Sequence, residues 1–214
     1  MPGHRFEAKH HSRLDSRYRR RILPPASTLK RFGLKKDMTV ADIGSGTGYF
    51  SIPAGRIVGK NAKVYAVDVS REMLALLKHG KPPSNLELVH TGNGYSFKIK
   101  SGTVDYVIAS SILHENEPVR FLKEIRRIMK PGAILLVIEW RKMPMRFGPP
   151  IEERLTPEEV GTFLSESGLR PTKRSVLNAR YFAVVGRKKS GKANGISAAA
   201  ERERIRTSQR VWID

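Results

Sequence analysis

The chain has 214 residues and 40 Lys and Arg against 20 Asp and Glu, for a net charge of +20, and it contains no cysteine. That length supports one domain with a substantial core, and the lack of cysteine excludes a disulfide framework, a thiolate zinc site and a cysteine nucleophile. No apolar run approaches the about 20 residues of a membrane span, and the polar, histidine-containing start is not a signal peptide, so a cytoplasmic protein is expected.

The charge is uneven. Residues 1–30 carry eight Lys/Arg against two acids, residues 184–214 carry eight against three, and residues 31–183 carry 24 against 15. Such a field attracts polyanions: RNA, acidic lipid surfaces or phosphorylated metabolites. A solvated basic surface with a loose tail explains the same charge more plainly. Aromatic residues are few in the basic ends (Phe6, Tyr18 and Trp212), which makes them a poor platform for stacking bases.

In chain order, residues 1–22 form a polar, basic arm, followed by Pro24-Pro25. A short helix from about Ala26 to Phe32 closes at Gly33. Thr39–Ile43 reads as a strand and Tyr49–Val58 as the helix after it. Lys63–Asp68 is a second strand, and Ser70 can cap a helix over Arg71–His79 that stops at Gly80. Leu86–His90 and Val104–Ser110 are strands three and four, the latter apolar and β-branched as a buried strand should be. Pro118 opens a helix running to Met129, which Pro131-Gly132 should end, and Ala133–Trp140 is a fifth strand. After a Met/Phe/Pro loop over 141–155, Thr156-Pro157-Glu158-Glu159 makes a capping box for a helix ending at Gly168. Arg170–Leu177 and Arg180–Gly186 read as a hairpin turned at Asn178-Ala179. From Arg187 onward the composition is that of a basic tail.

Alternating strands and helices imply an α/β, Rossmann-like, doubly wound and mostly parallel sheet of seven strands, ending in an antiparallel hairpin. The expected organisation is a basic arm or lid over 1–25, one domain over 26–187 and a basic tail over 188–214.

Between the first strand and its helix lies Asp42-Ile43-Gly44-Ser45-Gly46-Thr47-Gly48. A strand turning this sharply into a helix needs residues without a Cβ, and their backbone also lets a ligand approach closely. A structural turn and a nucleotide site both fit that pattern. The dinucleotide fingerprint G-x-G-x-x-G is not met, because the third glycine comes one position early and an acid precedes the first. In an open sheet of this kind ligands bind beyond the carboxyl ends of the strands. The candidates there are Asp42 to Gly48, Asp68, the Gly92-Asn93-Gly94 turn and Ser110 to His114.

These elements in this order resemble the class I S-adenosylmethionine (SAM)-dependent methyltransferases, closest to the small-molecule, quinone-biosynthesis group. The resemblance is carried by Val40 to Gly48, by Val64 to Ser70 with Met73 after it, by Val104 to Ser110 with Leu113-His114, and by Arg126 to Ala133. It implies SAM as cofactor and S-adenosylhomocysteine as product. It also implies that Asp42, Gly44, Ser45, Gly46 and Gly48 hold the methionine moiety, Asp68 the ribose, Val69 and Met73 the adenine, and that Ser110 flanks the sulfonium. The family usually has an Asp for the adenine amino group; Asn93 stands in that region here, and its carbonyl could still accept. A general base is needed only if the acceptor keeps its proton at neutral pH. His114 is the candidate, with a structural histidine as the alternative; His10 and His11 follow, on an arm that could cover the cofactor. Glu139, Trp140 and the 141–150 loop could line the acceptor pocket, and no metal cluster stands out.

Three functions remain open from the sequence. The first is a SAM-dependent methyltransferase acting on a small molecule. The second is an RNA or protein methyltransferase docking through its basic surface. The third is a non-catalytic SAM- or nucleotide-binding module.

Overall fold

A computed structural model describes residues 15–190 of the chain. Apolar side chains alternate sides along its strands, and this period of two buries the sheet on both faces. Seven strands run in the order β3-β2-β1-β4-β5-β7-β6. They are β1 (Val40–Ile43), β2 (Val64–Asp68), β3 (Leu86–His90), β4 (Val104–Ser110), β5 (Met129–Trp140), β6 (Leu169–Val176) and β7 (Tyr181–Lys188). The first five pair in parallel, and β7 inserts antiparallel between β5 and β6. This is the expected doubly wound sheet with its terminal hairpin.

One face carries Ala41, Ile43, Val107, Ala109, Leu135 and Val137, covered by Phe121, Leu122 and Ile125 of α5 (Pro118–Ile128) and by Val160 and Leu164 of α6 (Pro157–Glu166). The other carries Val40, Tyr106, Ile108, Leu136 and Ile138, covered by Leu29 of α2 (Pro25–Arg31) and by Ala54 and Val58 of α3 (Ser51–Val58).

Local chemistry explains where most elements begin and end. Ser70 accepts the Met73 amide at 3.2 Å and starts α4 (Arg71–His79). Thr156 and Glu159 form the reciprocal capping box of α6. The carboxamide oxygen of Asn178 accepts the amides of Arg180 and Tyr181 at 2.8 and 3.1 Å, which turns the final hairpin.

Three local expectations need correction. Pro131-Gly132 does not separate α5 from a strand beginning at Ala133. β5 starts at Met129, and the two residues form a bulge: Met129 pairs with Val104, but the next partners are Ile134 and Tyr106. Within the basic arm Arg17–Ile22 forms a short helix, α1, capped by Ser16, which the sequence reading lacks. A 3-10 turn over Leu113–Glu115, absent from the sequence reading, follows β4. Among the described residues no helix is long and apolar enough to cross a membrane.

Candidate active site

β1 pairs with β2 on one side and β4 on the other, so the chain reverses its winding between β1 and β4. That is the switch point, where neighbouring connections leave to opposite faces and open a crevice. The glycine run lies at its edge. Gly44, Gly46 and Gly48 have φ of +75°, +52° and +89°, a region that L side chains seldom adopt. A Cβ on Gly48 would lie 2.4 Å from Leu77 Cδ1, and one on Gly44 3.0 Å from Ile112 Cγ1.

The loop is tied down from within. The amides of Gly44 and Ser45 both donate to the Val67 carbonyl, at 2.9 and 3.0 Å, and that of Gly48 donates to the Ser45 carbonyl at 2.9 Å. Asp68, ending β2, accepts the Gly46 amide on Oδ2 and the Ser70 amide on Oδ1, both at 2.8 Å. Burial pushes the Asp68 carboxyl above its ordinary value, against the downward pull of the Ser70, Gly46 and Val69 amides. The carboxylate oxygens still retain lone pairs for a pair of hydroxyls.

Asp42 lies beneath the loop, 2% exposed, and accepts the Ser51 hydroxyl at 2.5 Å. Desolvation drives its carboxyl up to about 6 despite that bond, and the nearby Asp68 charge adds to the rise.

A groove opens beside these residues, walled by Gly44, Asp68, Val69, Gly94, Ile112 and Asn116 among others. Met73 is buried in the first turn of α4. Asn93 is exposed and its carbonyl already accepts the Tyr95 amide at 3.0 Å; Thr91 and Gly94 form the groove wall after β3.

The chemistry of the residues around the groove suits an adenosyl ligand with an amino-acid arm. Asp68 presents hydroxyl acceptors at its edge, and Gly44 and Gly48 let Ile112 and Leu77 pack against the loop where a Cβ would clash. The buried hydroxyls of Ser45, Thr47, Ser110 and Ser111, clustered after β1 and β4, have no protein partner. Ser111 also holds a φ of +54°, strained for a residue with a side chain, at the end of β4.

The ends of β4 and β5 supply a second group. Glu139, 1% exposed, accepts the amides of Ile112 and Leu113 on Oε1 at 3.1 and 2.8 Å. Its Oε2 lies 2.8 Å from His114 Nδ1. A carboxylate only accepts, so Nδ1 carries the proton, and Nε2, the basic atom of a neutral ring, lies 4.0 Å from Glu115 Oε1. Burial pushes the imidazole down, but Glu139, with Glu115 and Glu153 beyond it, outweighs this and holds it above its usual 6.5. Ile112 and Glu115, on either side of the 113–114 pair, line the groove, whereas the His114 side chain is buried against Glu139 and does not line it.

Trp140 stacks on Tyr181 with ring centroids 4.6 Å apart, and its indole lies under Gly148. The loop above is organised by Arg154, 4% exposed. Its guanidinium donates to the carbonyls of Met143 at 2.6 Å and Pro149 at 2.8 Å, and to those of Arg141 and Phe147 at 3.4 Å. Burial lowers its pKa. Only a chain folded back on itself brings those carbonyls to one cation, so no local signal marks Arg154 in the sequence. The Glu139 clamp on the 112–113 amides is equally long-range. Among the described residues no group of three or more acids and histidines is arranged to hold a metal ion. His10 and His11 lie outside the described residues.

A sheet in this order with a glycine-rich turn and an acid at the next strand end defines a nucleotide-type cofactor fold. Comparison with known proteins narrows it. The profile of the family described as Methyltransferase domain matches residues 41–137, from β1 to β5. A crystal structure of a SAM dependent methyltransferase from Aquifex aeolicus superimposes with a TM-score of 0.79 at 33% identity, covering 86% of this chain and 99% of that one. Demethylmenaquinone methyltransferase of Oceanobacillus iheyensis is 34% identical over 116 residues, 52% of this chain and 48% of the relative. The protein of that name from a Geobacillus species is 30% identical over 144 residues, 64% of this chain and 61% of the relative. The chain thus spans about half to three-fifths of the length of the curated relatives it matches. It belongs to the class I SAM-dependent methyltransferases, and SAM is the cofactor that family membership implies.

Proposed function

We propose that the protein transfers the methyl group of SAM to a small aromatic acceptor of the quinol type. The observation that carries this reading is the pairing of two features at adjacent strand ends. One is a glycine cradle with Asp68 and partnerless buried hydroxyls; the other is a buried His114–Glu139 pair. The names of the two relatives above support the choice of a quinone-like acceptor.

When bound, SAM supplies an electrophilic methyl group on sulfur, so the protein's task is to bind, align and exclude water. In this reading Asp68 accepts the ribose hydroxyls, and Val69 and Met73 pack against the adenine. The 44–48 backbone, Ser45 and Ser110 hold the amino-acid arm, with Asp42 setting the field beneath it. His114 Nε2 takes the proton of the acceptor hydroxyl while Glu139 holds Nδ1–H. Deprotonation raises electron density on the ring, whose carbon forms the new C–CH3 bond as the S–CH3 bond breaks; the hydrogen on that carbon then leaves as a proton to solvent, restoring the aromatic ring. Trp140 forms an apolar wall. A covering role for residues 15–25 is supported by two contacts to Tyr49, which follows the glycine run. The Arg19 guanidinium lies 4.1 Å from that ring's centroid, and the Leu23 carbonyl accepts its hydroxyl at 2.6 Å.

The test has two arms. Calorimetry with SAM and with the Asp68→Ala variant asks whether the cradle works: tight binding lost in the variant is expected, and its absence would refute the cofactor site. S-adenosylhomocysteine release is then measured with a reduced naphthoquinone, bulk tRNA or a protein mixture as acceptor. Turnover on the quinol is expected. SAM binding with turnover on RNA or protein alone would refute the acceptor class and leave the cofactor site standing.

A further inference from the structure

We propose that the face formed by α1, the 141–150 loop and the turn of the final hairpin docks on an anionic lipid bilayer. This goes beyond the methyl-transfer reading and does not depend on which acceptor is used.

Exposed apolar bulk is concentrated on this face. Large exposed hydrophobic residues among those described are Tyr18 (46%), Met143 (36%), Phe147 (61%) and Val176 (60%). Tyr18 lies on α1, Met143 and Phe147 lie in the loop, and Val176 ends the strand that enters the hairpin turn. Scattered singly they would need no explanation, but gathered they do.

Contacts join the three segments. The Arg180 guanidinium sits 4.5 Å from the Tyr18 ring centroid and 5.7 Å from that of Phe147. The Arg141 amide donates to the Arg180 carbonyl at 2.8 Å. Asn178 donates to the Ile22 carbonyl at 2.7 Å, fastening the hairpin to the end of α1. The loop itself is held in shape by the interior Arg154.

Cations predominate around these residues, with Asp15 pairing Arg20 at 2.6 Å and Glu159 lying 3.9 Å from Lys142 at the margins. Arg17, Arg21, Arg141, Lys142, Arg146 and Arg180 lie in these segments, and 16–22, 141–150 and 176–180 contain no Asp or Glu. Cations ringing protruding aromatic and thioether groups suit a lipid interface, where apolar tips enter the acyl boundary and arginines meet phosphate. They suit nucleic acid less well. Single-stranded bases need open aromatic faces, but Arg180 lies over both Tyr18 and Phe147, and Arg21 lies 5.9 Å from the Tyr18 centroid.

The test is co-sedimentation of the full chain with two vesicle types at about 0.15 M salt, where exposed charges are screened beyond about 8 Å. One contains phosphatidylcholine alone, the other equal parts phosphatidylcholine and phosphatidylglycerol. Binding to the second and not the first is expected. The Arg21→Gln/Arg146→Gln double variant should lose about 30-fold in partition. Phe147→Ser should lose about tenfold. Phe147→Trp should emit at shorter wavelength on binding and be quenched by lipids brominated on the acyl chain. Circular dichroism and SAM affinity verify that each variant is folded. Equal partition on both vesicle types, no partition on either, or unchanged partition in the correctly folded variants would overturn the proposal. So would capture by single-stranded RNA, through the same residues, in place of vesicles.

Discussion

Asp42 gives the sharpest quantitative test of the site. Replacing it by Asn leaves an acceptor for the Ser51 hydroxyl but removes a buried titration. Burial holds the Asp42 carboxyl at about 6, against 3.8 for the free group. Between those values the folded chain keeps a proton that the unfolded chain has lost. Stability from this group is therefore fully present at low pH and falls as pH rises through the folded value. The full span is about 3 kcal/mol, and about 1.5 kcal/mol of it falls between pH 5 and pH 8. Urea unfolding of the wild type and Asp42→Asn without SAM, over that range, reads it directly. The stability of the variant relative to the wild type should rise by about 1.5 kcal/mol from pH 5 to pH 8, or about 3–6 °C in Tm. Parallel pH profiles, or a variant that loses ground as pH rises, would refute the claim that burial governs this carboxyl. SAM affinity should fall in the same variant, a stability gain set against function.

Further outcomes follow from neighbouring residues. Gly48→Ala puts a methyl group 2.4 Å from Leu77 at a φ of +89°, so a loss of about 1–3 kcal/mol is expected in thermal unfolding; an unchanged Tm would show the loop to be more plastic than described. Arg154→Met takes away the cation shared by four carbonyls, so trypsin should cut after Arg141, Lys142 and Arg146 faster while the sheet stays folded by circular dichroism; equal cleavage would contradict the organising role. His114 is held above 6.5 by Glu139, so its stabilising contribution is complete below that pH and disappears as pH rises through the folded value. The stability gap between wild type and His114→Gln should shrink with rising pH, and Glu139→Gln should abolish the trend. In turnover assays the wild-type rate should climb with pH as Nε2 loses its proton, and Glu139→Gln should move that limb to lower pH.

What could be read in advance depended on how local its cause was. Gly44, Gly46 and Gly48 mark the turn because its left-handed backbone follows from the chain's own sterics. Ser70, Thr156 and Asn178 were legible because each bonds to amides two or three residues away. Asp68 stood out through its place at a strand end. The bulge at Pro131-Gly132 was misread because breaker residues were taken as a boundary, whereas pairing with β4 carries the strand through them. α1 escaped because four arginines and a tyrosine show no apolar stripe, and the helix is held by contacts to Tyr49 and the hairpin. Glu139 and Arg154 draw their roles from partners that only the finished fold assembles, and so does the bond from the Tyr95 amide to the Asn93 carbonyl, which leaves that oxygen one lone pair.

The insertion of β7 between β5 and β6 has a consequence for biosynthesis. Until Tyr181–Lys188 has been made, the long, apolar β5 keeps one open row of backbone donors and acceptors. The growing chain thus carries a sticky edge through the synthesis of the loop, α6 and β6, until β7 shields it. A ribosome stalled or a chain nicked within that interval would release a species with every cofactor-binding strand in place and a strong tendency to aggregate. Quality control of this protein therefore turns on a strand that contributes no residue to the cofactor cradle.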